Sequence, residues 1–271
     1  MENHKQIIKK FEDDGFYIAK NIIKEKQITS ILENVCRVYF KNNPSSKFLK
    51  EKKPWDNDLF HEEIIKFRDE NPNKFSEVYD ICQSSIPLVQ LITSKRISEI
   101  CAILLHCQPI ELSQIGNMVR MDTPNDTRNK TAWHQEMQFV RNPGLVLWIP
   151  LVEITDDIGM LHVLEKSHLD GEIVIERNEI HDYTTSRVSK CEIPEKILEK
   201  YKEKVIKINK GDALFFDTKL IHSSGDNTSK RIRFTCQTRF GNSLSNEFAA
   251  FRPNATYNPY AMKKLGRKIY D

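Results

Sequence analysis

The sequence predicts a mainly β fold with flanking helices, in which a helical N-terminal third packs against an antiparallel barrel or sandwich. Apolar residues recur at helical spacing over much of the first 107 residues. From residue 108 onward, short runs of β-branched and aromatic residues alternate with turns that contain Gly, Pro, Asn or Asp. We therefore expect a single domain over 1–271, with a helical portion at 1–107, a β core at 108–242 and a C-terminal tail at 243–271.

The N-terminal third is predicted to begin with a helix, a strand and a second helix. Residues 4–13 have an apolar face and end at Gly15, "FYIA" has strand composition, and residues 25–40 return to helical spacing. Residues 42–73 are polar and broken by prolines, which predicts a long loop. Residues 74–107 predict two or three further helices.

Seven short runs after residue 108 have the composition of strands. They are "IELSQIGNMVRM", "AWHQEMQFV", "LVLWIPLV", "MLHVL", "KVIKI", "ALFFD" and "RIRFTCQTRF". A polar, charge-rich insertion at 175–204 separates the fourth run from the fifth, with some helical character near its end. Many short strands joined by tight turns are typical of antiparallel barrels and sandwiches.

Composition and charge indicate a cytoplasmic protein without a nucleic-acid or membrane partner. The 41 Lys and Arg residues are interleaved with 38 Asp and Glu residues, so no basic block indicates nucleic-acid binding. No run reaches the roughly 20 apolar residues of a membrane span. The six cysteines form no C-x-x-C pair, which favours reduced thiols. The oligomeric state cannot be inferred from the sequence.

The stretch "TAWHQEMQF" contains a possible pair of metal ligands. On a strand, residues two apart project from the same face, so His134 and Glu136 would point together. A lone His-x-Glu is common by chance and usually solvated. His222 follows the apolar run "ALFFD", and two histidines with one carboxylate form the site of non-haem Fe(II) oxygenases, which leaves coordination positions open.

Two arginines suggest a binding site for a carboxylate. Arg231 and Arg233 alternate with apolar residues on a predicted strand, which would place both guanidinium groups on one face. A guanidinium group suits a carboxylate because its planar fork donates two parallel hydrogen bonds. For either arginine, a solvated strand face is the competing interpretation.

Four segments of the chain resemble the phytanoyl-CoA dioxygenase family of Fe(II)- and 2-oxoglutarate-dependent oxygenases. They are "WHQE", "LVLWIPLVEITDDIGMLHVLEKSHLDG", "KGDALFFDTKLIHSSGDNTSKRIR" and, more weakly, "FEDDGFYIAKNIIKEKQI". The resemblance extends over most of the chain and implies a double-stranded β-helix core, the jelly-roll or cupin-like fold. It also implies that "SH" at His168 is structural.

The resemblance assigns roles to individual residues. His134, Glu136 and His222 match the iron ligands, and Arg233, eleven residues after His222, matches the residue that binds the distal carboxylate of 2-oxoglutarate. Further positions match co-substrate contacts or lie beside them: Ser224, Trp148, Gln114 or Asn117 on the preceding strand, and Arg231 as an assisting neighbour.

One position departs from the family pattern, because Glu136 stands where the family usually has Asp. The longer side chain can still bring its carboxylate to iron. Related halogenases carry a small residue there, so a carboxylate favours hydroxylation over halogenation.

The reaction implied by the resemblance is hydroxylation of an unactivated C–H bond, with Fe(II) as cofactor, 2-oxoglutarate and O2 as co-substrates, and succinate and CO2 as products. The expected substrate is a small polar metabolite, such as a natural-product or sugar-pathway intermediate. Two alternatives remain open: a non-catalytic cupin-like protein that binds a metal or ligand, and a metal enzyme on the same barrel that does not use 2-oxoglutarate.

Overall fold

A computed structural model describes residues 3–126, 132–138, 140, 143–173 and 193–246. It combines helices with antiparallel sheets, as the sequence predicted. The helices are α1 His4–Asp14, α2 Glu25–Asn42, α3 Asp58–Glu70, α4 Pro72–Cys82, α5 Ile86–Ile92, α6 Lys95–Leu104 and α7 Glu195–Leu198. The strands are β1 Phe16–Ala19, β2 Leu112–Asp122, β3 Gly144–Pro150, β4 Leu161–Leu164, β5 Glu203–Ile206, β6 Ala213–Asp217, β7 His222–Ser224 and β8 Arg233–Asn242.

The first helix is fixed at both ends by its own sequence. Asn3 caps α1 and forms a capping box with Gln6. Gly15 ends the helix in the left-handed conformation, with φ +80°, and a Cβ at this position would lie 2.5 Å from Nδ1 of His168. The other ring nitrogen of His168 donates to the Glu12 carbonyl at 2.9 Å. His168 therefore attaches α1 to the β core.

The prediction of a loop over residues 42–73 is wrong, because this stretch contains α3. The side chain of Asn57 accepts the Leu59 N–H and caps the helix. Phe60, Ile64 and Phe67 lie on one buried face at helical spacing. The prolines that suggested a loop lie outside the helix, so they mark its limits and do not interrupt it. In the fully described stretch 74–107, three helices are present, at the upper end of the prediction.

Within the described residues, the strands form two antiparallel sheets. The order is β1-β6-β3-β8-β2 in the five-stranded sheet and β5-β4-β7 in the three-stranded sheet. β1 comes from the helical N-terminal portion, so the larger sheet draws strands from both portions of the chain. An apolar cluster that includes Trp148 and Phe216 of one sheet with Leu161 and Val163 of the other packs the two sheets together. A second cluster packs the N-terminal helices against the larger sheet.

The described residues of the run "AWHQEMQFV" do not form the predicted strand. His134 makes a single bridge to His222, and residues Glu136–Gln138 form one turn of 3-10 helix. The local chain departs from a strand because the Glu136 N–H donates to the Thr218 carbonyl at 2.9 Å and the Val140 N–H to the Glu136 carbonyl at 3.1 Å.

Two predicted regions lie mostly outside the described residues. Of the insertion at 175–204, the structure describes 193–204, which contains α7. Of the tail at 243–271, it describes 243–246. In the described parts of the chain, no helix has both the length and the apolar character that crossing a membrane requires.

Candidate metal centre

Two histidines from distant parts of the sequence meet at the centre of the site. The backbones of His134 and His222 exchange both N–H to carbonyl hydrogen bonds, each 3.1 Å long. This antiparallel bridge brings the two rings to 4.1 Å between centroids. Both residues are buried, at 8% and 3% exposure.

The orientation of each imidazole ring is set by a backbone carbonyl. Nδ1 of His134 donates to the Ala132 carbonyl at 2.8 Å, and Nδ1 of His222 donates to the Leu220 carbonyl at 2.9 Å. A proton on Nδ1 leaves Nε2 as the lone-pair donor of the neutral ring. Burial and the neighbouring His134 lower the pKa of His222, which favours the neutral ring. Two basic nitrogens therefore face the same point.

Glu136 completes a three-donor set. Its Oε1 lies 3.5 Å from Nε2 of His134 and 3.7 Å from Nε2 of His222. One ligand atom from each residue fits within 4.8 Å of the others. A metal ion about 2.1 Å from each donor would bring neighbouring donors to about 3 Å apart, so contraction by about half an ångström completes the site. The residues present fit a metal bound by two histidines and one carboxylate.

The Glu136 carboxylate is held from the opposite side by β8. Nε of Arg239 donates to Oε2 at 2.7 Å, while Nη2 of Arg239 and Nε2 of Gln237 donate to Oε1 at 3.2 and 3.1 Å. Burial alone would raise the pKa of Glu136, but the charge of Arg239 holds it well below its ordinary value. The carboxylate is therefore ionised and ready to bind a cation.

A cavity of about 210 Å³ opens beside these three residues. Met118, Trp148, Leu161 and Phe216 form its apolar wall. Its polar wall carries Arg120, Asp122, Ser224, Arg233, Gln237 and Arg239. A mostly apolar concave site with a few convergent polar groups is typical of a small-molecule site.

Arg233 lines this cavity and is fixed by four hydrogen bonds. Its Nε and Nη2 donate to Oδ2 of Asp122 at 3.1 and 3.0 Å. Its Nη1 donates to the carbonyls of Gly159 and Gly225 at 2.6 and 3.1 Å. A guanidinium group has five N–H donors, so one lies outside these bonds. Arg233 is thus positioned before any ligand arrives.

Asp122 connects Arg233 to a second cavity arginine, Arg120. Nη2 of Arg120 donates to Oδ1 of Asp122 at 3.0 Å. Burial alone would raise the pKa of Asp122, but the two arginine charges lower it. One carboxylate between two guanidinium groups leaves a net positive charge at this end of the cavity, which suits an anionic ligand.

Comparison with known protein families agrees with this geometry. The sequence profile described as phytanoyl-CoA dioxygenase (PhyH) matches residues 11–235. The chain belongs to the phytanoyl-CoA dioxygenase family. Enzymes of this family use iron, 2-oxoglutarate and O2, and the three described donor residues are those that such a centre requires. No curated protein sequence matches the chain.

Several solved structures share the fold. The epimerase SnoN in complex with Fe3+, α-ketoglutarate and nogalamycin RO is 14% identical, with a TM-score of 0.59, and the match covers 88% of this chain and 83% of SnoN. The non-heme α-ketoglutarate-dependent carbocyclase SnoK from nogalamycin biosynthesis is 14% identical, with a TM-score of 0.56 and coverage of 87% and 83%. EvdO2 from Micromonospora carbonacea var. aurantiaca, complexed with 2-oxoglutarate, is 16% identical, with a TM-score of 0.51 and coverage of 89% and 91%.

The structure brings six of the residues suggested by the family resemblance to one cavity. They are His134, Glu136, His222, Trp148, Ser224 and Arg233.

Thr235 lies two residues after Arg233 on the same strand and is fully buried. Its Oγ1 has no hydrogen-bond partner among the described residues. A buried hydroxyl without a partner costs free energy, and Thr235 is not among the described residues that line the cavity.

Arg231 lies away from the cavity, so the prediction that it shares a strand face with Arg233 is wrong. β8 begins only at Arg233. The Arg231 side chain instead donates to the Trp55 carbonyl at 3.1 Å and pairs with the exposed Asp58 at 3.2 Å. Arg231 therefore attaches the N-terminal helices to the β core.

Gln114 and Asn117 are also absent from the cavity wall among the described residues. Asn117 precedes the cavity residue Met118 and so points to the opposite face, while Gln114 is turned away by an irregularity in β2, where one extra residue shifts the pairing with β8 between Ile115 and Met118. Met118 pairs with the cavity residue Gln237, so the residues of β2 that face the cavity are Met118, Arg120 and Asp122. Gln114 and Asn117 lie on the other face and hydrogen-bond to each other and to Thr238.

Sequence reasoning missed Arg239, Gln237 and Asp122. The signal for the first two was present in "RFTCQTRF", where Arg233, Gln237 and Arg239 fall at even spacing on one strand face. The run "VRMD" similarly places Arg120 and Asp122 two apart. Polar residues that share the buried face of an apolar strand need partners, which makes such a pattern indicative of a site.

Proposed function

We propose that this protein is an Fe(II)- and 2-oxoglutarate-dependent oxygenase that hydroxylates an unactivated C–H bond of a small polar metabolite, with release of succinate and CO2. One observation carries the proposal: the donor atoms of His134, Glu136 and His222 converge beside a cavity that also holds a fixed arginine, Arg233. The two packed antiparallel sheets support a double-stranded β-helix, or jelly-roll, as the core of this fold.

The three ligands would occupy one side of the metal. His134 and His222 present neutral Nε2 atoms, and Glu136 contributes one negative charge, so a divalent cation retains a net charge of about +1 and its remaining coordination positions. The cavity lies beside these three donors and would hold the groups that fill the remaining positions. Iron and 2-oxoglutarate, when bound, supply the oxidising power that removes hydrogen from a C–H bond.

Arg233 would bind the distal carboxylate of 2-oxoglutarate. Its guanidinium plane is fixed by Asp122 and two glycine carbonyls, which reduces the entropy lost when the ligand binds. Ser224 and Trp148 line the same cavity, and we assign them to co-substrate contact as a hydrogen-bond partner and an apolar wall. A carboxylate in this buried and positively charged pocket would be bound with little competition from water.

The proposed substrate class follows from the cavity size and polarity. A volume of about 210 Å³ beside the metal ligands has room for a small molecule. The solved structures of similar fold include enzymes of nogalamycin biosynthesis. We therefore favour a small polar metabolite, such as a natural-product or sugar-pathway intermediate.

The proposed location is the cytoplasm. The five described cysteines are all free thiols, which is usual for proteins of a reducing compartment.

The test is turnover of 2-oxoglutarate by the purified protein loaded with Fe(II) under anaerobic conditions and then exposed to O2. We expect succinate release that is stimulated by the true substrate and lost in His134→Ala and Arg233→Ala. Mass spectrometry of products formed under 18O2 would show one added oxygen atom for hydroxylation, loss of two hydrogens for desaturation or ring closure, and no mass change for epimerisation.

Absence of both 2-oxoglutarate binding and succinate release in the iron-loaded wild-type protein would overturn the proposal. The result would then favour a metal- or ligand-binding protein that does not use this co-substrate. Arg231→Ala is the matched control, because Arg231 lies only two residues before Arg233 but contacts Trp55 and Asp58 and does not line the cavity.

A further inference from the structure

The Glu136 carboxylate lies between the two histidine rings and two side chains of β8 that are not metal ligands. On one side are the Nε2 atoms of His134 and His222, at 3.5 and 3.7 Å from Oε1. On the other side are Arg239 and Gln237, which donate three hydrogen bonds of 2.7 to 3.2 Å. All five side chains are buried.

The two donors come from a rigid part of the fold. β8 lies between β3 and β2 in the five-stranded sheet. Arg239 pairs with Val146 of β3 and with Ile115 of β2, and Gln237 pairs with Trp148 and Met118. An interior strand paired on both sides holds its side chains at fixed positions. The donors therefore define where the carboxylate can lie.

The length of the Glu136 side chain matters to this arrangement. Its backbone is fixed by a hydrogen bond to Thr218, in the turn that precedes His222. From that point, the carboxylate must reach both the donors on β8 and the position between the two histidines. An aspartate is one methylene shorter, about 1.5 Å, so it could not meet the β8 donors and the metal together.

We propose that Arg239 and Gln237 are positioning residues that hold the Glu136 carboxylate in its metal-binding orientation, and that this contact lets a glutamate serve as the anionic ligand. Nε of Arg239 donates to Oε2 of Glu136 at 2.7 Å, so Oε1 is the carboxylate oxygen that is directed at the two histidines. A carboxylate has about four lone-pair sites, two on each oxygen. A cation on Oε1 would therefore displace the longest contact, 3.2 Å from Nη2 of Arg239, and leave those from Nε of Arg239 and from Gln237 in place. Ligands held by such outer contacts bind metal more tightly.

A competing interpretation is that Arg239 takes the place of the cation and must be displaced when the metal binds. The two interpretations predict opposite signs for the effect of removing the guanidinium group. Loss of a positioning residue weakens metal binding, whereas loss of a competing cation strengthens it. Metal affinity measured without turnover therefore separates them.

The experiment is calorimetric titration of the apo protein with Mn(II), which binds oxygen and nitrogen donors without redox chemistry. We expect Arg239→Gln to weaken Mn(II) binding by about 10- to 100-fold, in the range of outer-contact substitutions. Gln237→Met should weaken it by about tenfold through one lost hydrogen bond. Thr238→Val is the control, because Thr238 lies on the same strand and hydrogen-bonds on its opposite face; its affinity should equal wild type.

A double-mutant cycle with Glu136→Asp tests whether the contact between Arg239 and the carboxylate contributes to metal binding only when residue 136 is a glutamate. Because the aspartate cannot reach Arg239, the Arg239→Gln substitution should change Mn(II) affinity less than twofold in the Glu136→Asp background. The Co(II) absorption spectrum should change in Arg239→Gln and stay unchanged in Thr238→Val. Circular dichroism establishes folding; if Arg239→Gln fails to fold, Gln237→Met carries the same test in both backgrounds.

Unchanged or tighter Mn(II) binding in Arg239→Gln and Gln237→Met would overturn the inference, as would equal losses in the Glu and Asp backgrounds. This inference rests on the metal site of the proposed function, but the two fail separately. If the wild-type protein binds no Mn(II) in this cavity, the proposed function fails. If the wild type binds Mn(II) and the variants bind it equally well, only the positioning role fails.

Discussion

Asp122 accepts two hydrogen bonds from Arg233, at 3.1 Å from Nε and 3.0 Å from Nη2, where the last residue of β2 pairs with the first residue of β8. This ion pair is almost completely buried, with side-chain exposures of 8% and 6%. It orients the arginine assigned to 2-oxoglutarate, and it joins two strands that both contribute to the cavity.

Replacing Asp122 with Asn should destabilise the protein substantially. The substitution leaves Arg120 and Arg233 buried beside each other without their shared carboxylate, and removal of one partner from a buried ion pair costs about 3 to 5 kcal/mol. Urea unfolding measures the free energy of unfolding. Asp58→Asn is the control, because Asp58 pairs with Arg231 at an exposed site and should cost less than about 1 kcal/mol. Equal losses for the two variants would contradict the assigned role of Asp122.

Arg233→Gln should weaken 2-oxoglutarate binding by about 100-fold, because truncating one partner of a buried charge pair typically costs 2 kcal/mol or more. Titration of the Mn(II)-loaded protein with 2-oxoglutarate measures this effect. Mn(II) affinity should change little, since Arg233 is not among the metal ligands. Arg231→Gln should leave both affinities at the wild-type level. If Arg231→Gln lost 2-oxoglutarate affinity and Arg233→Gln did not, the assignment of the arginine would be wrong.

Gly159→Ala should be more destabilising than an equivalent substitution at an open position. Gly159 has φ +89°, and a Cβ there would lie 2.6 Å from the carbonyl oxygens of Gly225 and Asp226. Gly171 has a similar φ of +81° with nothing within 4 Å of its Cβ position, so Gly171→Ala reports the backbone cost alone. With ψ −154° this residue lies in a region that is essentially restricted to glycine, which makes that cost about 1 to 3 kcal/mol. We expect Gly159→Ala to exceed this value and also to weaken 2-oxoglutarate binding, because the Gly159 carbonyl accepts from Arg233. Equal losses of unfolding free energy in Gly159→Ala and Gly171→Ala would contradict the prediction, because they would show that the backbone around Gly159 moves to accommodate the added Cβ.

His61 should make the folded state sensitive to mild acid. Burial lowers its pKa from about 6.5 to about 4, while its ring nitrogens bond the Trp55 carbonyl and the Ile232 N–H. A folded-state pKa below the unfolded value gives stability that is present above pH 6.5 and is lost as the pH falls toward 4. Between pH 7 and pH 5 this loss should be about 2 kcal/mol.

His61→Gln provides the comparison, because an amide keeps one donor and one acceptor and does not titrate in this range. The free energy of unfolding of the two proteins, measured at pH 7 and pH 5, should differ in its pH dependence by about 2 kcal/mol. Parallel pH dependence in wild type and His61→Gln would show that other groups cause the acid sensitivity.

The sequence predicted the parts of the site that depend on local pattern. Apolar periodicity placed α1 and α2, and strand composition placed β1 and, through the run "ALFFD", β6; β7, which begins at His222, was not predicted. The spacing of His134, Glu136 and His222, once joined to the family resemblance, identified the donor set that the structure brings together.

The features that the sequence did not predict depend on pairing between distant residues. Arg239 contacts Glu136 only because β8 lies between β3 and β2, which no local pattern indicates. Gln114 faces away from the cavity because a single extra residue in β2 reverses the alternation of side chains. α3 was missed because its flanking prolines were interpreted as signs of a loop. Register, bulges and strand order are properties of the folded chain.

In the proposed enzyme, one cavity holds both the metal and the co-substrate. Crystals grown anaerobically with Fe(II) and 2-oxoglutarate, with diffraction measured on both sides of the iron absorption edge, would locate both. We expect one iron peak within bonding distance of Nε2 of His134, Nε2 of His222 and the carboxylate of Glu136, with the distal carboxylate of 2-oxoglutarate on Arg233. Iron held by other residues, or no iron at these three donors, would overturn the proposed function.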